Sequence, residues 1–222
     1  VAEDHVCAVR TTGAQYYCWG DNSYGQLGDG TFDAEYQPRV IGSGVTWIQP
    51  SAGTYSSCSR RNPAGTNGAS ALFCAGDNSF GQLGDNTTAI RFKPQSIKLS
   101  NVAQLSAGYN HTCALLDNGT VKCWGNNGVG QLGNGTHNES HIPVLVSGVT
   151  GAIAITAGIG HTCALLANGT ARCWGLGSNG QLGQGYTTDS TLPVTVSGLT
   201  GATAITSGWV HTCALLANGT AK

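Results

Sequence analysis

The sequence contains no methionine and few charged side chains. Only 9% of its 222 residues are Asp, Glu, Lys or Arg, and the formal net charge is −1. The ten Lys and Arg residues are scattered along the chain without a basic stripe that could neutralise phosphates, so we expect no nucleic-acid partner. No apolar run reaches the 18 residues of a membrane-spanning helix, which excludes such a span from this sequence. Apolar stripes with a helical period are also lacking, so we expect no helices.

Glycine and hydrophobic residues are abundant instead. There are 34 glycines, about twice the average usage, and hydrophobic residues make up 40% of the chain. A disordered chain has the opposite balance, with many charges and few apolar side chains. The glycines recur at fixed positions, so we interpret them as turns and close backbone approaches.

The sequence repeats itself about every 50 residues. Each unit has a first cysteine, and successive first cysteines are 51, 55, 50 and 50 residues apart. A second cysteine follows, usually in Cys-Trp-Gly, and then the tetrad Gly-Gln-Leu-Gly. We place the repeats approximately at 1–46, 47–100, 101–150, 151–200 and, in part, 201–222, within a single domain.

Each unit has the pattern of short β-strands. Residues 152–156 alternate between small and large side chains, and residues 163–166 and 170–174 flank a hairpin turn. A short strand over 193–196 begins at Pro193, which is typical of a sheet edge. Four short strands per 50 residues are the content of one propeller blade. The sequence therefore predicts an all-β propeller of four-stranded blades, with about four blades and part of a fifth in this chain.

The paired cysteines predict a disulfide across each hairpin. With Asp117-Asn118-Gly119 as a three-residue loop, Cys113 lies opposite Cys123 at a non-hydrogen-bonded position. The α-carbons are then about 4.5 Å apart, at the short end of the disulfide range. The predicted pairs are Cys7 with Cys18, Cys58 with Cys74, Cys113 with Cys123, and Cys163 with Cys173.

The same repeat register predicts the partner of the ninth cysteine and the place of both chain ends within their repeat units. Cys213 should pair ten residues further on, at position 223, one place after Lys222. We therefore expect a continuation of Cys-Trp-Gly and no reactive thiol. Val1 aligns within an inner strand, so we expect the domain to be truncated at both ends. Any signal peptide has been removed or was never part of this chain.

These motifs resemble the regulator of chromosome condensation repeat family. Residues 108–133 and 158–183 carry its glycine, histidine, Trp-Gly and Gly-Gln-Leu-Gly signature throughout, whereas the second unit departs with Ser56 and Ala75. The resemblance implies a propeller of typically seven blades, of which this chain supplies little over half a ring. The best-known family activity is nucleotide exchange on a small GTPase.

The cysteines set this chain apart from nuclear members of the family. Four disulfides indicate an oxidising compartment, and each closes a loop whose entropy suggests about 2 to 3 kcal/mol of stabilisation. We therefore expect an extracellular or cell-surface protein. An intracellular GTPase is a poor partner for it, so nucleotide exchange is the least favoured function.

The recurring histidines, each two residues before a cysteine, are candidate metal ligands around the channel. Ligands of one ion must converge, whereas equivalent positions of a ring diverge, so a structural role within a blade or towards the next is favoured. His137 and His141, with Glu139 between them, are interpreted as a solvated loop. Gly-Gln-Leu-Gly lacks the lysine of a phosphate loop and is interpreted as turn and packing. We predict no catalytic, cofactor or metal site. The recurring histidines are His5, His111, His161 and His211.

Asn-x-Thr and Asn-x-Ser sequons occur seven times. Asn118 and Asn168 lie at predicted hairpin tips and are the best glycosylation candidates, followed by Asn86, Asn134 and Asn138. Their use requires a host that glycosylates proteins.

We expect a non-catalytic binding or assembly module that recognises protein or glycan through its variable loops, or copies of itself in a filament or sheath. The alternative is a secreted enzyme inhibitor, since a beta-lactamase inhibitory protein looks like this family. An aromatic patch on one face would favour the inhibitor, and the sequence shows such a patch only thinly. Tyr24, Phe80 and Val129 share one repeat position, which Asn179 fills in the fourth unit, and are interpreted as packing between blades.

Overall fold

The computed structural model describes residues 4–42, 46–62 and 71–222, which form an all-β chain of seventeen strands. Within these ranges no helix is long and apolar enough to cross a membrane. The strands are β1 His5–Val9, β2 Tyr16–Gly20, β3 Glu35–Ile41, β4 Thr46–Ala52, β5 Ser56–Asn62, β6 Ala71–Gly76, β7 Arg91–Ile97, β8 Val102–Ala107, β9 His111–Leu116, β10 Val121–Gly125, β11 Ser140–Leu145, β12 Ala152–Ala157, β13 His161–Leu166, β14 Ala171–Gly175, β15 Ser190–Thr195, β16 Ala202–Ser207 and β17 Thr212–Leu216.

Five antiparallel sheets follow one another along the chain. The three complete sheets each join four consecutive strands in sequence order: β4 to β7, β8 to β11 and β12 to β15. The first sheet holds β1, β2 and β3, and the last holds β16 and β17. The prediction of four-stranded propeller blades in a partial ring is confirmed. The opening residues 1–3 lie outside the described part of the chain.

The innermost strands of successive blades are joined side by side. The hydroxyl oxygen of Ser51 accepts a hydrogen bond from the backbone N–H of Ala107 at 2.9 Å. Ser106 accepts from Ala157 at 2.9 Å, and Thr156 accepts from Ser207 at 2.8 Å. The same contact at three junctions fixes the blades in the same orientation around the ring.

The outermost strands differ from the prediction in where they begin. We expected the fourth strand of the fourth blade to start at Pro193, but β15 starts at Ser190 and contains the proline. Its pairing with β14 shifts register between Cys173 and Gly175, so the proline falls in an irregular stretch of an edge strand. Such a stretch does not need the N–H that proline lacks.

A tryptophan from one blade is held by the Gly-Gln-Leu-Gly turn of the blade before it. The Nε1 of Trp124 donates to the carbonyl oxygen of Gln82 at 2.9 Å, and Trp174 donates to Gln131 in the same way. A Cβ on Gly84 would lie 2.7 Å from Nε1 of Trp124. The last glycine of the tetrad is therefore required by the indole of the next blade as well as by its own positive φ of 78°.

The core lies between blades. One buried cluster joins Cys113, Cys123 and Leu132 of the third blade to Ile155 and Trp174 of the fourth. Since neither blade encloses this apolar surface alone, each needs its neighbour for burial.

The predicted cross-hairpin disulfides are confirmed in the structure. Sulfur atoms are 2.07 to 2.12 Å apart, and the α-carbons are 4.1 to 4.2 Å apart. In each complete blade the cysteines face each other on the second and third strands. The pairs are Cys7 with Cys18, Cys58 with Cys74, Cys113 with Cys123, and Cys163 with Cys173.

Candidate interaction faces

The antiparallel meander gives the propeller two faces, which differ in the loops they carry. The turns from first to second strand and from third to fourth strand lie at one end of each blade, here called the upper face. The turns from second to third strand, and the connections to the next blade, lie at the other end, the lower face. Because the blades share one orientation, these ends are common to the whole arc.

The recurring histidines connect blades and do not converge on a metal. Nε2 of His111 lies 2.9 Å from the hydroxyl oxygen of Thr162, and Nε2 of His161 lies 3.0 Å from that of Thr212. Thr162 gives its own proton to the carbonyl oxygen of Gln131 at 3.1 Å. Its oxygen therefore accepts from His111, which fixes the Nε2–H tautomer of that imidazole.

Burial keeps these histidines neutral. It lowers the pKa of His5 and His161 to about 4 and that of His111 to about 3. In all three rings Nδ1 is buried without a hydrogen-bond partner. Protonation would place an N–H there with nothing to accept it, so these side chains are not poised for proton transfer or ligation.

The loop histidines are engaged in local contacts. His141 Nε2 lies 3.0 Å from a carboxylate oxygen of Glu139, and His137 Nδ1 lies 3.1 Å from the carbonyl oxygen of Gly128. Throughout ranges 4–42, 46–62 and 71–222, no three His, Cys, Asp or Glu side chains come together as they would around a metal ion.

Three tyrosines from three blades stack in a row on the upper face. The ring centroids of Tyr24 and Tyr55 are 4.8 Å apart, and those of Tyr55 and Tyr109 are 5.5 Å apart. Tyr24 thus packs between blades, as its repeat position suggests, while 38% of it remains exposed. Tyr109 also lines a 260 Å³ cavity together with Ile159 and Trp209, which occupy its repeat position in the next two blades.

Acidic residues gather on the same face. The upper-face loops contain eight of the eleven Asp and Glu residues and none of the ten Lys and Arg residues. Arg39 and Arg91, on outer strands, pair with Asp29 and Asp85. Six carboxylates in these loops have no Lys or Arg partner, although Asp77 among them is buried and Glu139 pairs with His141. The six are Asp4, Asp21, Asp33, Asp77, Glu139 and Asp189.

Basic residues gather on the opposite face. Seven of the ten Lys and Arg residues lie at lower-face ends of strands or just beyond them, with Asp117 as the accompanying acid in the described chain. Three of them also bind backbone carbonyls there: Arg60 that of Val102, Arg172 that of Gly148, and Lys222 that of Gly198. The seven are Arg10, Arg60, Arg61, Lys98, Lys122, Arg172 and Lys222.

Four matches to the model of the regulator of chromosome condensation (RCC1) repeat, at residues 15–59, 70–115, 118–165 and 168–215, cover most of this chain. A second RCC1 repeat model matches residues 102–131 and 152–181. The chain belongs to the RCC1 repeat family. The tryptophans and histidines that bond to neighbouring blades, Trp124, Trp174, His111 and His161, lie within the matched residues.

Among curated RCC1-repeat relatives, the human probable E3 ubiquitin-protein ligase HERC4 is 36% identical over 147 residues. The Arabidopsis thaliana ultraviolet-B receptor UVR8 is 32% identical over 146 residues. These alignments cover 63% and 64% of this chain but only 13% and 32% of the relatives. The chain thus corresponds to a limited part of each relative.

Solved structures show the same arc of blades. Human WBSCR16 superposes with a TM-score of 0.81 at 26% identity, covering 96% of this chain and 55% of that one. Yeast RCC1 (Prp20) bound to Kap60 superposes with a TM-score of 0.82 at 18% identity, covering 98% and 53%. The ectodomain of the Physcomitrella patens receptor kinase CR4 gives 0.57 at 23% identity, covering 98% and 47%. The RCC1 propeller is typically a binding or regulatory module.

The sequons fall on both faces. The Asn118 and Asn168 side chains lie at lower-face hairpin tips, where each Oδ1 accepts hydrogen bonds from the N–H and hydroxyl of the threonine two residues later. Asn86, Asn134 and Asn138 lie in upper-face loops. Both hairpin tips are exposed, so their positions are compatible with glycosylation, which stays a prediction.

Proposed function

We propose that this chain is part of an extracellular or cell-surface propeller that acts by binding or assembly and catalyses no reaction. The observation that carries the proposal is the disulfide in each of the first four blades, formed by cysteines that are at most 8% exposed. Disulfides of this number persist in oxidising compartments and are rare in the cytosol. The CR4 ectodomain gives a precedent for this fold outside the cell.

The upper face supports protein recognition over sugar recognition. Sugar rings stack on free aromatic faces, whereas the rings of Tyr24, Tyr55 and Tyr109 lie against one another. Tyrosine is enriched in protein–protein interfaces. A protein is therefore the favoured partner.

A secreted inhibitor of an extracellular enzyme is the second candidate. The row of Tyr24, Tyr55 and Tyr109 supports this candidate, because an aromatic patch on one face favours an inhibitor. An inhibitor needs large rigid side chains that enter a partner's cleft, and tyrosines on a disulfide-locked scaffold meet that need. Inhibition of a purified enzyme that is lost in Tyr55→Ala and Tyr109→Ala would establish this function.

Localisation of the natural protein tests the first proposal. Intact source cells are labelled with a membrane-impermeant amine reagent, and the culture fluid is assayed in parallel. The full-length protein is expected in the fluid or among labelled surface proteins. Protein found only in the unlabelled cytosolic fraction, beside a labelled surface marker, would overturn the proposal.

We further propose that Asn118 and Asn168 carry N-linked glycans if the source cell glycosylates secreted proteins. Expression in a glycosylating secretory host should give a mass shift that enzymatic deglycosylation removes, and Asn118→Gln with Asn168→Gln should lose it. Retention of the full shift in that double variant would contradict this assignment and place the glycans at other sequons, among which Asn86, Asn134 and Asn138 are the next candidates.

A further inference from the structure

The acidic upper face and the basic lower face are complementary surfaces of one molecule. We propose that copies of this propeller stack along the ring axis, with the acidic face of one copy on the basic face of the next. This inference rests on the proposed function as a binding and assembly module, and names its partner as a second copy of the chain.

The charges are separated by the fold. Upper-face loops hold six carboxylates without a Lys or Arg partner, of which Asp77 is buried and Glu139 pairs with His141. The lower face holds seven basic groups and one acid, so the two surfaces have opposite signs. The whole chain carries only −1, so little net repulsion opposes association of identical copies. Juxtaposition of the unlike faces therefore gives attraction, whereas juxtaposition of like faces is repulsive.

Such a contact joins different surfaces of the two copies. A contact of this kind leaves a free acidic face at one end of the pair and a free basic face at the other. Further copies can add at both ends, so the product is a column and not a closed dimer. Each blade supplies loops to both faces, so the contact repeats around the ring.

The upper face also supplies apolar surface for the contact. Tyr24 and Trp209 are 38% and 52% exposed. The ring of Tyr24 packs against that of Tyr55, and the carbonyl oxygen of Trp209 accepts a hydrogen bond from the backbone N–H of Ile159 in the preceding blade. Aromatic side chains in the centre of an interface, with charges around them, are typical of stable contacts. A standard interface needs about 800 Å² on each partner, a small share of the 9702 Å² surface of this chain.

Other partners would use only one of the two faces. A polyanion would bind the lower face and a basic protein the upper face, and each leaves the opposite charge unexplained. Stacking accounts for both faces with one contact. The other two partners are therefore outcomes that the experiment distinguishes.

Sedimentation of the full-length protein tests the proposal without any substitution. Association is measured over a range of concentrations at about 20 mM and about 500 mM salt, between which the Debye length falls from about 20 Å to about 4 Å. Stacking predicts a series of species larger than the dimer at low salt and at least tenfold weaker association at high salt. A monomer at low salt and high concentration, or association unaffected by salt, would overturn it.

Neutralising each face separately gives a sharper test. One variant carries Asp4→Asn, Asp33→Asn and Glu139→Gln, and the other carries Arg10→Gln, Lys98→Gln and Lys122→Gln. Each alone should associate about tenfold or more weakly. An equimolar mixture should form pairs of two chains and no longer columns, because each pair has one intact contact and two neutralised outer faces.

Controls separate stacking from its alternatives. The outer-strand variant Lys93→Gln should associate like the parent, and circular dichroism with a count of disulfides verifies folding.

Two outcomes would identify a different partner. If the parent stays monomeric and binds heparin, and the lower-face variant loses this binding, the partner is a polyanion and not a second copy. If the parent stays monomeric and binds polylysine through the upper face, the partner is a basic protein and not a second copy. If the copies do not associate but the protein is found outside the cell, stacking is refuted and the proposed function stands. If the protein is found in the cytosol, the proposed function is refuted, and sedimentation still decides whether copies stack.

Discussion

His111 and Thr162 join two neighbouring blades through a hydrogen bond in which the histidine is the donor and the threonine oxygen the acceptor. The threonine oxygen lies 2.9 Å from Nε2 of the histidine and 3.1 Å from the carbonyl oxygen of Gln131. Its proton goes to the carbonyl, so the imidazole is the donor. The junction therefore needs a neutral histidine in one tautomer, which makes it sensitive to both acid and the loss of the hydroxyl.

Acid should weaken the propeller before its carboxylates are protonated. The folded-state pKa values of His5, His111 and His161 lie at about 3 to 4, below the ordinary 6.5. Between about pH 6.5 and 4 the unfolded chain takes up protons that the folded chain does not, so stability is full above 6.5 and falls as the pH drops. Each histidine contributes about 1 kcal/mol per pH unit.

Thermal unfolding from pH 8 to 5 measures this effect. The midpoint should be constant above about pH 7 and fall steadily below it. Asp21 and Asp85, whose pKa values are lowered by hydrogen bonds that outweigh their desolvation, lose their contribution only below about pH 4. A midpoint that does not change down to pH 5 would contradict the neutral-histidine junction.

Thr162→Val should destabilise the fold by about 1 to 3 kcal/mol, because the side chain keeps its shape but His111 loses its acceptor. Thr162→Ser keeps the hydroxyl and is the matched control, with a smaller loss from the missing methyl group. Chemical denaturation of the two variants measures the difference. Equal stability would show that the histidine contact contributes nothing.

Gly133→Ala should be more harmful than Gly180→Ala. Both residues have positive φ, of 65° and 77°, so both substitutions strain the backbone by roughly 1 kcal/mol. A Cβ at Gly133 would also lie 2.7 Å from Nε1 of Trp174, whereas nothing lies within 4 Å of one at Gly180. An extra loss of about 1 to 3 kcal/mol is therefore expected for Gly133→Ala. Urea unfolding curves measure both, and a Gly180→Ala variant of equal or lower stability would contradict the role of the indole.

Removal of one hairpin disulfide should reduce stability by about 2 to 3 kcal/mol. Cys113→Ser with Cys123→Ser removes one pair, while Cys213→Ser in a chain that ends at Lys222 removes a cysteine that is exposed and free there and should leave stability unchanged. The comparison is made by unfolding both variants under non-reducing conditions. Equal stability of the double variant and the parent would show that the crosslink is energetically silent.

The fold was predictable because the repeat places the same residues in the same environment several times. Cys113 and Cys123 fix the register of a hairpin, and the register gives the pairing and distance of the cysteines. A residue repeated in most of the blades also identifies scaffold, as with His161, whose place in the second unit is taken by Ser56. These inferences need only spacing along the chain.

The two charged faces could not be read in the same way. Lys98 and Lys122 lie in different repeat positions, as do Tyr24 and Tyr55, so no single column of the repeat reveals them. They meet because alternate turns of a meander lie at the same end of a blade. The charges are therefore scattered along the sequence but separated in space. Assigning each loop to its end of the blade would have found the signal.

Mass spectrometry of the protein isolated from its source, with thiols blocked before digestion, tests the central claim most directly. The account predicts four disulfide-linked peptide pairs, joining Cys7 to Cys18, Cys58 to Cys74, Cys113 to Cys123 and Cys163 to Cys173. These crosslinks would agree with a propeller that works in an oxidising compartment. Recovery of all nine cysteines in the blocked, reduced form would contradict that account.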